Sequence, residues 1–179
     1  MNLQHLCSAT SAEVYFDNYN NWVYVDWVGE LTLPTVQHTC LSIARCFLNH
    51  YYPRVLNSNA HVTSVTWDVS PWLASEFLPA LTFTGVEQMA WVVPPGLRAR
   101  NNVLTTVNLF PHVAISLFDE VENAVTWLQQ TAPEDLQTGC PPLGRCYADE
   151  QKLHYLVEGL AQQLQAAPAP TGTTPTQLP

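Results

Sequence analysis

Metal binding and catalysis both need polar side chains that converge, so the spacing of the reactive residues comes first. His5, His38, His50, His61, His112 and His154 never fall four apart, the interval that lets two imidazoles on one helix face share a metal. Cys140 and Cys146 flank Pro141-Pro142-Leu143-Gly144-Arg145, which is not zinc-knuckle spacing, and no second Cys/His pair accompanies them. Cys40 and His38 are neighbours only along the chain, because residues two apart on a helix do not face each other. Cys40 and Cys46 fit a buried helix face instead. There is no Gly-x-Ser-x-Gly elbow and no glycine-rich phosphate loop. The sequence therefore predicts no catalytic constellation, no metal site and no cofactor.

Three weaker polar features remain. Asp26 shares a strand face with Trp22 and Tyr24, where burial would raise its pKa; an exposed edge position is the plainer reading. Arg98 and Arg100 follow Pro94-Pro95-Gly96 at a predicted helix start, a place where an anion could be held. Asn57 and Ser58 are read as a loop leaving a strand, and phosphorylation of Ser58 there would add close to two negative charges.

The elements that must position these residues follow from periodicity. Val14-Tyr15-Phe16 and Trp22–Val28 alternate as strands around the turn Asn18-Tyr19-Asn20-Asn21, with Val23, Val25 and Trp27 facing the core. Trp22 and Tyr24 then need a cover on the other side. Thr32 caps a helix with Pro34 in its first turn and Val36, Cys40, Ile43 and Phe47 at helical spacing; Pro53 ends it. Arg54-Val55-Leu56 reads as a short strand, followed by a polar loop through His61. A helix opening at Ser70-Pro71 carries Trp72, Leu73, Phe77 and Leu81, is kinked by Pro79, and stops at Gly85. Strands are predicted over Val86–Val93 and His112–Leu117, with a helix over 97–108 between them. A last helix of the domain is capped by Asp119 with Glu122 and presents Val121, Ala124, Val125 and Leu128 inward.

The predicted fold is thus α/β: a mixed, largely parallel five-stranded sheet in the order ββαβαβαβα, flanked by helices. Residues 1–12 read as an N-terminal extension, 13–130 as the domain and 131–147 as a linker. An amphipathic helix over 148–166 has Leu153, Leu156, Val157, Leu160 and Leu164 on one face, and a Pro/Thr-rich tail over 167–179 is predicted to be disordered. The helix needs a surface to cover, the domain's own or a second chain's.

Composition bounds the partners. Fifteen acids against six bases give a net charge of −9, which argues against nucleic acid and anionic lipid headgroups. Only 12% of residues are charged, against about 25% in a typical soluble protein, so self-association meets little repulsion and a homodimer is expected. No stretch approaches the ~20 apolar residues of a membrane span, and the first residues lack the basic and apolar regions of a signal peptide. With five scattered cysteines, this predicts a cytoplasmic protein.

Trp27-x-Gly29, Trp72 with Pro79 and Gly85, Ala90-Trp91-Val92, and Phe118-Asp119 leading to Ala124 and Trp127-Leu128 occur in an order and spacing that resembles the STAS/SpoIIAA-like family. That family includes anti-sigma-factor antagonists and is related to CRAL-TRIO lipid-exchange domains. The resemblance covers roughly residues 13–130 and implies a mixed sheet flanked by helices. Antagonist members carry an Asp-Ser pair whose serine is phosphorylated to release a partner kinase; Asn57-Ser58 is the matching pair, with Asn57 in place of the aspartate and about ten residues before the Ser70-Pro71 helix. The resemblance implies a non-catalytic regulatory or protein-interaction domain. The alternative is a carrier of a small apolar molecule, with Trp67, Trp72, Phe77, Phe83 and Trp91 lining a pocket between helices and sheet.

Overall fold

A computed structural model of the chain describes residues 1–93, 113–131 and 145–166. The predicted helix over 97–108 with Arg98 and Arg100, His112, Cys140 and the tail all lie outside the described residues.

Six strands form one sheet in strictly sequential order: β1 (Leu3–Ser8), β2 (Ala12–Asp17), β3 (Trp22–Leu31), β4 (Arg54–Val65), β5 (Gln88–Val92) and β6 (Ala114–Phe118). The first three pair antiparallel and β3 to β6 pair parallel, so the mixed, largely parallel sheet is present with one strand more than predicted. The extra strand is β1, which the sequence placed in an extension. Its register slips between His5 and Cys7, and this bulge breaks the alternation by which a strand is recognised.

Between β3 and β4 runs α1 (Leu33–Asn49), capped by Thr32 with Thr35 completing a reciprocal pair of hydrogen bonds and Pro34 in the first turn. Between β4 and β5 the backbone is helical from Val69 to Thr84 but irregular. A turn of α-helix, α2 (Val69–Trp72), widens into a π turn over Leu73–Phe77, tightens to 3-10 over Leu78–Ala80, and closes as α3 (Leu81–Thr84). Pro79 has no N–H to give and its ring crowds the turn before it, which accounts for the wide turn followed by the tight one. Gly85 ends the segment at φ +79°, a left-handed cap; a Cβ there would collide with the Tyr51 ring.

Two successive parallel crossovers stepping in the same direction put both helical segments on one face of the sheet. Val23, Val25, Val55 and Met89 pack beneath them. The other face is covered by α4 (Val121–Gln130), where Ala124 and Leu128 close over Trp22, Leu56, Ala90 and Val92. That is the cover Trp22 required. The cap of α4 is Glu120 rather than Asp119, and Glu120 makes no side-chain capping bond. A final helix, α5 (Tyr147–Ala166), lies against α1 and α3, burying Leu153, Val157 and Leu160. Its surface is the domain's own. Arg145, just before it, donates to the carbonyls of Phe47 and Leu48 at the end of α1. No described helix is long and apolar enough to cross a membrane.

The β2–β3 hairpin is fixed by Asn21 at φ +56° and by a buried carboxylate. Asp17 accepts from Asn20 Nδ2 at 2.7 Å and from the backbone N–H groups of Asn2, Tyr19 and Asn20 at 3.1, 3.0 and 3.3 Å. Burial alone would raise its pKa, but these four donors outweigh burial and hold the carboxyl below its ordinary range. Such a group stabilises the fold above the unfolded pKa, near 3.9, and the contribution vanishes as pH falls through the lowered folded value. Asp17→Asn is therefore expected to lose about 1–2 kcal/mol at neutral pH and to converge on the wild type in strong acid, once the carboxyl is protonated in both states. Urea midpoints across that range give the test; parallel profiles would refute the assignment.

Candidate functional site

In the parallel part of the sheet, alternation places Val25, Asn57 and Trp91 side by side in one cross-strand row on the α1 face, with Val23, Val55 and Met89 in the row before. Val36, Cys40, Ile43 and Phe47 descend from α1 towards this surface. Leu73, Phe77 and Leu81 approach it from the irregular segment. The walls do not meet. They leave a cavity of about 70 Å³, lined almost wholly by apolar atoms. Most of its lining is buried, while Asn59 and Leu73 are partly exposed and mark where solvent approaches it.

Its few polar groups are arranged. Trp27 Nε1 donates to Asn57 Oδ1 at 2.9 Å, and Asn57 Nδ2 donates to Asn59 Oδ1 at 3.2 Å. Trp91 is different: it lines the cavity, is 8% exposed, and its buried Nε1–H has no acceptor among the described residues. An indole N–H can only donate, and a buried donor left unpaired costs about 1–3 kcal/mol. Trp22 Nε1 is also unpaired, but its ring is enclosed by the α4 core with the Arg54 guanidinium 5.3 Å from its centroid. Cys40, in the cavity wall, is fully enclosed, and burial pushes its thiol pKa up.

Of the five aromatic residues expected to line a pocket, Phe77 and Trp91 do. Trp72 stands behind Phe77, its ring stacked at 6.1 Å. Phe83 instead lies under the Lys152 ammonium of α5, 4.7 Å from the ring centroid. Trp67 is 87% exposed and does not line this cavity. Sequence reasoning placed Trp27 in the core and Asn57 in a switch loop; it missed that both line the cavity and pair with each other, a contact 30 positions apart.

The predicted polar loop after Leu56 is a strand. β4 continues to Val65, so Asn57 and Ser58 sit within the paired sheet rather than on a loop. Ser58 is fully buried and its Oγ accepts from Ala60 N at 3.3 Å, which leaves a phosphoryl donor no approach while β4 is paired. Arg98 and Arg100 fall outside the described residues.

On the α4 side, next to Ser58, the register brings Asp26 and Tyr24 together, and His61 Nδ1 lies 3.2 Å from Asp26 Oδ1. Burial first, and the Asp26 carboxylate second, push the Tyr24 hydroxyl up to about 12. Asp, His and Ser are thus neighbours, but no hydrogen bond joins His61 to Ser58 among the described residues, and His61 is largely exposed. A nucleophilic relay needs that missing bond. No group of three His, Cys, Asp or Glu among the described residues could hold a metal ion.

No protein-family model matches the chain, and no curated protein matches it. Among solved structures it is similar to an uncharacterised protein of the DUF3478 family with a SpoIIAA-like fold from Shewanella loihica PV-4, at 13% identity and a TM-score of 0.48, over 70% of this chain and 95% of that one.

Proposed function

We propose that this domain is a non-catalytic binding module that takes a small, largely apolar molecule carrying one hydrogen-bond acceptor into the cavity against Trp91. The observation that carries this reading is the unpaired Trp91 Nε1–H at an apolar cavity of about 70 Å³. Apolar walls supply affinity without direction, and one placed donor supplies orientation. The described lining residues carry no acid or base for work at neutral pH: their polar groups are two amides, two indoles and a thiol whose pKa burial raises.

Cyclohexanone and methylenecyclohexane differ in whether an oxygen or a CH₂ ends the same ring, which makes them suitable probes. Titration calorimetry is expected to show the ketone binding about tenfold more tightly, the worth of one buried hydrogen bond. Trp91→Phe should abolish that preference while leaving the hydrocarbon bound. Equal affinities in the wild type, or no saturable binding of either, would overturn the reading.

A second reading, contact with another protein or a second copy of this chain, draws on a separate feature. Trp67, 87% exposed, follows the ends of β3 and β4, where Val28 and Val65 are exposed as well. A solvent-facing tryptophan among aliphatic neighbours is a typical anchor of a protein contact. Light scattering is expected to show a concentration-dependent dimer that Trp67→Ser disperses. A strict monomer at millimolar concentration would remove the self-association form of this reading.

A further inference from the structure

The N-terminal strand brings a cysteine to a place where strand geometry would not normally put it. Neighbouring residues of a strand point to opposite faces, yet Leu6 and Cys7 both pack against the α1-side core, because the bulge between His5 and Cys7 re-aims one of them. Cys7 Sγ then lies 3.3 Å from Cys46 Sγ on α1. Both thiols are free and both are partly exposed. Cys40, earlier on the same helix, is enclosed, and Cys146 is exposed and hydrogen-bonded to Asp149. Of the described cysteines, two alone are both paired and reachable.

We infer that Cys7 and Cys46 form a peroxide-oxidisable dithiol whose disulfide ties the edge strand β1 to α1. Disulfide sulfurs stand about 2.05 Å apart, so closure requires a shift of little more than about 1 Å. Hydrogen peroxide is the oxidant. The Cys7 thiol, its proton released to water, attacks one peroxide oxygen. The O–O bond breaks, the departing hydroxide takes up a proton to become water, and Cys7 becomes a sulfenic acid. Cys46 Sγ attacks that sulfur, and the sulfenic hydroxyl leaves with the Cys46 proton as a second water. Two thiols and one peroxide give one disulfide and two waters. Burial and the neighbouring Cys7 push the Cys46 thiol up to about 12, which disfavours its thiolate and leaves the first attack on peroxide to Cys7. The site is independent of the cavity's occupant, but α1 is common to both, so oxidation fastens one cavity wall to the sheet edge.

The test uses the full chain, treated with hydrogen peroxide, alkylated under denaturing conditions and mapped by mass spectrometry without reduction. A Cys7–Cys46 cross-linked peptide on a monomeric chain is expected, with Cys40 alkylated. The oxidised protein should melt about 10 °C higher, since the bridge closes a loop of roughly 40 residues, and reductant should return it to the starting value. Cys7→Ser and Cys46→Ser should each remove the shift, while Cys146→Ser leaves it intact. Peroxide that yields only intermolecular dimers, or sulfinic acid at Cys7 with no cross-link, would overturn the inference, and the wild-type map alone decides this even if a serine variant folds poorly.

Discussion

Replacing Arg54 by methionine is expected to destabilise the fold by about 3–4 kcal/mol, lowering the melting temperature by roughly 10 °C, although methionine retains an unbranched apolar stem. Arg54 is 3% exposed and has no carboxylate partner among the described residues. Its guanidinium instead donates to the carbonyl of Asn20 in the β2–β3 turn at 2.9 Å, to Gln88 Oε1 on β5 at 3.3 Å, and to the carbonyl of Leu128 near the end of α4. One side chain therefore joins the hairpin, the parallel sheet and the covering helix. Burial lowers its pKa, yet a guanidinium keeps its proton, and the negative end of α4 favours it there. Methionine replaces the stem but not the guanidinium, and leaves buried acceptors unpaired. Lysine keeps the charge but lacks the planar fork that reaches all three, so Arg54→Lys should lose at least about half as much. Denaturant unfolding checks both, and a loss under about 1 kcal/mol for Arg54→Met would contradict this account of the junction.

Cys40→Leu is expected to abolish cyclohexanone binding, by at least about 50-fold, without loss of stability. Cys40 lies in the cavity wall and is fully enclosed. Leucine puts three carbons in place of one sulfur, and its two methyl groups take up cavity space that the ketone would occupy. Filling a void restores dispersion contacts that its lining lacks, so the melting temperature should hold or rise. Calorimetric titration and thermal unfolding of the same sample measure both. Retained binding would mean that the probe sits elsewhere; a melting temperature lowered by more than about 5 °C would mean that the wall is already packed.

Much of this architecture is legible in local chemistry. Thr32 and Pro34 announce α1, Pro79 and Gly85 announce a distorted helix and its end, and the spacing of Ala124 and Leu128 identifies the face of α4 that closes over Trp22. What escapes is non-local. β1 is hidden by its bulge, and the long β4 is hidden by Asn57-Ser58-Asn59, a polar run that reads as a loop until Trp27 and the sheet are seen to satisfy it. The site follows the same division. Phe77 and Trp91 announce themselves as large apolar residues at inward positions, and the same reasoning fails for Trp67, because hydrophobicity says nothing about which strand end lies uncovered. A missing acceptor, such as that of Trp91, is a property of three-dimensional neighbours and has no signature in sequence.

Nuclear magnetic resonance of the six tryptophan indole N–H groups during titration with cyclohexanone probes the donor itself. The Trp91 proton should move downfield and saturate, with the exposed Trp67 proton unmoved. A Trp91 resonance that stays fixed while the ketone reaches tens of millimolar would contradict the assignment of this cavity as a binding site.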